Sequence, residues 1–155
     1  MERRIYEAVV EGNIISLLNL LQEDALILDR ITPELAGVFD SRKSSPLHLA
    51  TSKGYLDIVK ILVSVNPEMC FVCDRDGKNP VHIAAIKGHV SVIKEFVKGR
   101  PNAARMLTER GETILHAFVR FDQLEAMEFL VEAINDHEFM NSEDDDGNTL
   151  LHICI

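Results

Sequence analysis

The chain has 155 residues, 46% hydrophobic and 26% charged, with a formal net charge of -9. That is enough apolar sequence for one domain with a continuous core, which argues against disorder, and no uninterrupted apolar run approaches the ~20 residues needed to cross a bilayer. The acidity is one-sided: residues 121–155 hold ten Asp and Glu and no Lys or Arg, whereas residues 1–120 hold 16 basic and 15 acidic side chains. An acidic end without a clustered basic stripe excludes DNA and RNA as partners.

In chain order, residues 1–29 open with Tyr6-Glu-Ala-Val-Val-Glu-Gly12, followed by Leu17, Leu18, Leu20 and Leu21 at helical spacing. Glu2, Glu7 and Glu11 interrupt the apolar letters, so no secretory signal is read there. Residues 30–43 break the spacing that governs the rest and are expected to form an elongated finger or loop.

A unit then begins at Ser45-Pro46-Leu47-His48. It recurs as Asn79-Pro80-Val81-His82, Thr113-Ile114-Leu115-His116 and Thr149-Leu150-Leu151-His152, with histidines 34, 34 and 36 residues apart. A fixed period in the thirties marks a stacked-repeat architecture. Within each unit Ser45, Asn79, Thr113 or Thr149 can cap a helix, and Pro46 and Pro80 suit the first helical position. The helix carries apolar residues (Leu47, Leu49 and Ala50; Val81, Ile83 and Ala84). It stops at Gly54 or Gly88, with Asp122 in that place in the next copy. A second helix follows, with Ile58, Val59, Ile61 and Leu62, or Val92, Ile93, Phe96 and Val97, on one face. Pro67 and Pro101 then break the chain before turns at Asp76-Gly77 and Arg110-Gly111.

These residues resemble the ankyrin repeat, D-G-x-T-P-L-H-x-A-A-x-x-G-H plus a second helix. The resemblance implies an all-α ankyrin-repeat solenoid of helix-turn-helix units with short β-turn fingers. The expected divisions of a single domain, 1–155, are a degenerate unit 1–29, the insertion 30–43, units 44–75, 76–109 and 110–145, and a fifth unit, 146–155, cut inside its first helix. That break suggests a truncated gene product whose last segment, after Asn141, frays.

Other motifs are read as structural. One histidine per unit suits a bond to the cap or the adjacent loop rather than a metal site. Cys70-Phe-Val-Cys73 is a lone CxxC without a second pair, and three cysteines do not make a disulfide framework, so a reducing, cytoplasmic compartment is expected. Ser142-Glu-Asp-Asp-Asp-Gly147 lacks the first Asp and the twelfth-position Glu of a calcium loop. No catalytic, cofactor or metal motif is recognised, and the expectation is a non-catalytic scaffold without cofactors.

The family's usual partner surface is formed by the fingers and the exposed side of the first helices. Carried onto this chain it comprises Ser52 and Lys53, Ile86 and Lys87, and Arg120 and Phe121, with Arg42, Lys43, Arg75 and Lys78 on the fingers. Such a ladder fits a protein or peptide with an acidic segment and hydrophobic anchors. Asn66-Pro67, Arg100-Pro101 and the opening Ile-Tyr-Glu-Ala-Val-Val-Glu-Gly-Asn are similar to plant ankyrin proteins that carry a C-terminal membrane region, the PGG domain. That similarity implies the cytosolic recruiting head of a defence or stress signalling protein. It would be held at the plasma membrane by spans lying beyond Ile155, with no membrane insertion by this segment. A regulatory head of a larger enzyme or transporter would have the same sequence features.

Overall fold

The computed structural model describes residues 2–24, 26–27 and 42–154. The expected insertion at 30–43 lies outside them, except for Arg42 and Lys43. Helices pair along the chain: α1 (Glu2–Glu11) with α2 (Ile14–Glu23), α3 (Pro46–Lys53) with α4 (Leu56–Val65), and α5 (Pro80–Lys87) with α6 (Val90–Gly99). Pro101–Ala104 forms the short α7, after which α8 (Ile114–Arg120) pairs with α9 (Leu124–Ile134). The short α10 (His137–Met140) and α11 (Leu150–Cys154) complete the described helices. No strand occurs among the described residues.

The helix starts follow from side-chain chemistry. Ser45, Asn79 and Thr113 each accept the backbone N–H of the histidine three residues on, and each histidine ring accepts the N–H of the cap residue in return. Pro46 and Pro80 occupy the first turn as expected. Gly54 and Gly88 stop their helices in the left-handed region, with φ of 73° and 74°. Asp122 takes the same region at φ 55°, and its helix ends one residue earlier, at Arg120.

First helices pack in one row (α1, α3, α5, α8, α11) and second helices in another (α4, α6, α9). Between the rows lies one apolar core. Leu47, Ala50, Val81, Ala84, Ala85, Ile114 and Leu115 supply it from the first row, and Ile58, Val59, Leu62, Val92, Ile93, Phe96 and Leu130 from the second. Small residues at Ala50, Ala84 and Ala85 let first helices approach closely, while a fully buried side chain such as Phe96 contributes roughly 2–3 kcal/mol. Of the four leucines in α2, Leu17, Leu20 and Leu21 are buried and Leu18 faces solvent.

The prolines after the second helices do not simply break the chain. Pro67 opens a 3-10 helix, Pro67–Phe71, whose start is held by the Asn66 side chain accepting the Glu68 N–H, and Pro101 opens α7. A proline at the first position of a helix loses no hydrogen bond, so these residues re-initiate helix. They bury Met69, Cys70, Ala103 and Ala104 beneath the second row.

Candidate protein-binding face on the fingers and first helices

Each finger is a tight turn held by one side-chain oxygen. Asp74 Oδ1 accepts the N–H groups of Asp76 and Lys78, Thr108 Oγ1 those of Arg110 and Glu112, and Asp144 Oδ1 those of Asp146 and Asn148. The Ser-Glu-Asp-Asp-Asp-Gly stretch is therefore a finger, and Asp144 spends its oxygens on the turn itself. Its carboxyl is held below the usual range, chiefly by the Asn148 N–H. The sequence signal for this is an oxygen-bearing residue three places before each finger glycine (Gly77, Gly111, Gly147).

The histidines tie distant segments together: His48 and His116 reach the next unit, and His82 the far end of its own. Because Nδ1 of His48 accepts the Ser45 N–H (3.1 Å), the ring hydrogen sits on Nε2 and is donated to the Lys78 carbonyl (2.9 Å). His116 reaches the Asn148 carbonyl in the same way (3.0 Å), while His82 donates to the Met106 carbonyl (2.8 Å). In the first unit Tyr6 stands six residues before its glycine, where the others place histidine. Its hydroxyl donates to the Ser44 carbonyl (3.0 Å). His82 is so enclosed that burial pushes its pKa down to about 4, against the Met106 hydrogen bond that would raise it.

Between fingers and first helices run two grooves. The first is lined by Arg42 and Ser44, by His48, Leu49 and Ser52 of α3, by Asp74, and by Ile83 and Lys87 of α5. It brings together Arg42, Ser52 and Lys87 of the expected site. Leu49 and Ile83, among the apolar residues of the first helices, are half-buried and form its apolar floor. The second groove, lined by Asp76, Lys78, Thr108, Glu109, Arg110, Glu112 and Arg120, joins Lys78 to Arg120.

The remaining expected residues lie outside these two grooves. Lys53 and Arg75 are exposed, and Phe121 is 46% exposed. Ile86, and Ser52 within the first groove, are half-buried rather than exposed, and the Ser52 carbonyl accepts from His89 Nε2 (3.0 Å), a ring belonging to the next unit. The ladder of three cations is also altered, because Arg120 is paired at 2.7 Å with Glu112, which is itself mostly buried. Lys43 holds a left-handed backbone at φ 56°, at the position where later fingers have glycine.

The two cysteines of the CxxC occupy different surroundings. Cys70 is buried, which pushes its thiol up to about 11, and Cys73 is exposed, with Asp74 and Glu109 adding to a partial burial that raises it too. Both are therefore thiols at neutral pH. Among the described residues no cluster of three or more His, Cys, Asp or Glu is placed to hold a metal ion, and no helix is long and apolar enough to cross a membrane.

A family model for ankyrin repeats (3 copies) matches residues 5–105, and another for ankyrin repeats (many copies) matches residues 81–131. No curated protein matches the chain in sequence. The matches cover most of the helix pairs described above, and the capped first helices, joint-forming histidines and left-handed stops recur inside them. The chain belongs to the ankyrin-repeat family, a family of modules that generally bind other proteins.

Proposed function

We propose that this chain is a non-catalytic protein-binding scaffold that takes its partner along the fingers and first helices. The observation that carries this reading is the first groove: an apolar floor of Leu49 and Ile83 with Arg42, Ser52 and Lys87 around it. Apolar anchors beside cations suit a peptide segment with hydrophobic and acidic side chains. Lys43, Lys53, Arg75, Lys78, Ile86, Arg120 and Phe121 extend the same surface, and residues 1–155 act as one ankyrin domain with the unit divisions given above.

The finer assignment is a cytosolic recruiting head of a plant defence or stress signalling protein, related to the PGG-domain group. Its support is the Asn66-Pro67 and Arg100-Pro101 junctions and the Ile5-Tyr6 opening. The test is affinity capture from plant cytosol and membrane extracts with the parent domain and a Lys53→Glu, Lys87→Glu variant. Both lysines are exposed, so the fold is retained. Signalling proteins lost from the variant's capture are the expected result. An unchanged set of partners would move recognition to another face.

A further inference from the structure

In sequence the stretch 40–44, described from Arg42 onward, aligns with the fingers Asp74–Lys78, Thr108–Glu112 and Asp144–Asn148. Counting Lys and Arg against Asp and Glu, their charges are +1 (Asp40, Arg42, Lys43), 0 (Asp74, Arg75, Asp76, Lys78), -1 (Glu109, Arg110, Glu112) and -3 (Asp144, Asp145, Asp146). The charge falls at every step. The first helices follow the same course: exposed Lys53 and Lys87 end α3 and α5, whereas Arg120 at the end of α8 is already matched by Glu112. Backbone bonds join the first finger to the second, from the Arg75 N–H to the Arg42 carbonyl, and the third to the fourth, from the Asp145 N–H to the Arg110 carbonyl (both 2.8 Å), which holds the fingers of each pair side by side.

Resting on the binding face proposed above, we infer that the partner segment is itself polarised, an extended stretch acidic at one end and basic at the other. Its acidic end, with an apolar anchor, lies over Leu49, Ile83, Lys53 and Lys87. Its basic end lies at the Asp144–Asp146 finger. Units about 10 Å apart place the first and last fingers on the order of 30 Å apart, a span of roughly nine extended residues. That separation exceeds the Debye length of about 8 Å at physiological ionic strength, so the acidic end does not cancel the attraction of the basic one. A wholly acidic segment would gain at the first groove and be repelled at the last finger. A polarised one gains at both, and reversing it along the groove brings like charges together.

The experiment uses fluorescent peptides of about 14 residues, long enough at ~3.3 Å per residue to span the row. One carries a Glu block, two Leu and a Lys block, with Ser and Gly spacers. A second has the same composition with Glu and Lys alternating, and a third is wholly acidic. The block peptide is expected to bind about tenfold more tightly than either control at low salt, with binding lost at about 0.5 M NaCl. Carbodiimide coupling should then join its Glu side chains to Lys53 or Lys87 and its Lys side chains to Asp145 or Asp146. Equal affinity of the acidic or alternating peptide, still coupled to Lys53 and Lys87, overturns the polarity and leaves the binding face standing. Coupling concentrated on Lys60, Lys94 and Lys98 of the second helices overturns the face as well. Absence of binding by all three peptides to folded protein overturns the polarity, and the capture experiment then judges the face alone.

Discussion

At the residue scale, three side chains sit in places that energetics marks out. His82 is buried with its pKa lowered to about 4, from an ordinary 6.5. Its contribution is fully present above pH 6.5 and is lost as pH falls towards 4, because the unfolded chain takes up the proton first. The loss is on the order of 3 kcal/mol. Urea unfolding of the parent and His82→Gln between pH 7 and pH 4.5 should show the variant weaker at pH 7 but with a smaller acid loss. An equal loss in both would refute this origin. Thr51 is fully buried, and its hydroxyl is the one buried side-chain oxygen or nitrogen among the described residues without a hydrogen-bond partner. Ala85 and Val119 fill the equivalent places in the following units. Thr51→Val should therefore raise stability by about 1 kcal/mol, read as a higher urea midpoint with unchanged slope. Lys43 adopts φ 56° where later fingers use glycine. Lys43→Gly should gain about 0.5–1 kcal/mol in thermal unfolding while weakening the partner's hold on the first finger.

At the element scale, the helix caps also hold distant segments. Asn79 is fully buried; its Oδ1 accepts the His82 N–H (2.9 Å), and its Nδ2 donates to the Ala103 carbonyl (2.9 Å) at the end of α7. Asn79→Thr, the residue found at the equivalent Thr113, keeps the cap but gives up the bond to that carbonyl, and should cost about 1 kcal/mol. Asn79→Ala loses both bonds and should cost about 2–3 kcal/mol. No loss in Asn79→Thr, by chemical denaturation, would show that the link to α7 contributes nothing. The caps, the prolines and the left-handed stops were legible in the sequence because each has a local cause that repeats with the period. Other features were not. Tyr6 does the joint's hydrogen bonding in place of histidine, and nothing in its letter announces an equivalent hydroxyl. Leu49 and Ile83 look like core because helical spacing reports a face, not which neighbour covers it. The Arg120–Glu112 pair crosses from a finger to a helix end, beyond the range of any helical pairing rule.

At the scale of the whole molecule, charge is distributed along the stack rather than balanced within it. Ten carboxylates and no Lys or Arg lie in residues 121–155, so that end repels itself, relieved locally where the Arg105 guanidinium holds Asp136 and lies 5.7 Å from the Phe139 ring centroid. Lys94, 3.9 Å from Glu125 and 5.4 Å from the Phe129 ring centroid, makes a similar reach from α6 to α9. Raising NaCl from about 0.02 M to about 0.5 M should increase Tm by a few degrees, because screening the carboxylates outweighs weakening these exposed pairs. A Tm that falls with salt would reverse that ranking.

The bonds from Tyr6, His48, His82 and His116 to the segment ahead all end on main-chain carbonyls. A carbonyl is offered by any residue, so the joint demands nothing of the following unit's side chains. Any residue can therefore stand at these acceptor positions, and finger sequences are left to diverge as partners change, while the continuous apolar core still requires the buried residues of neighbouring units to fit one another. The array is tolerant at its hydrogen-bonded joints and particular on its surface.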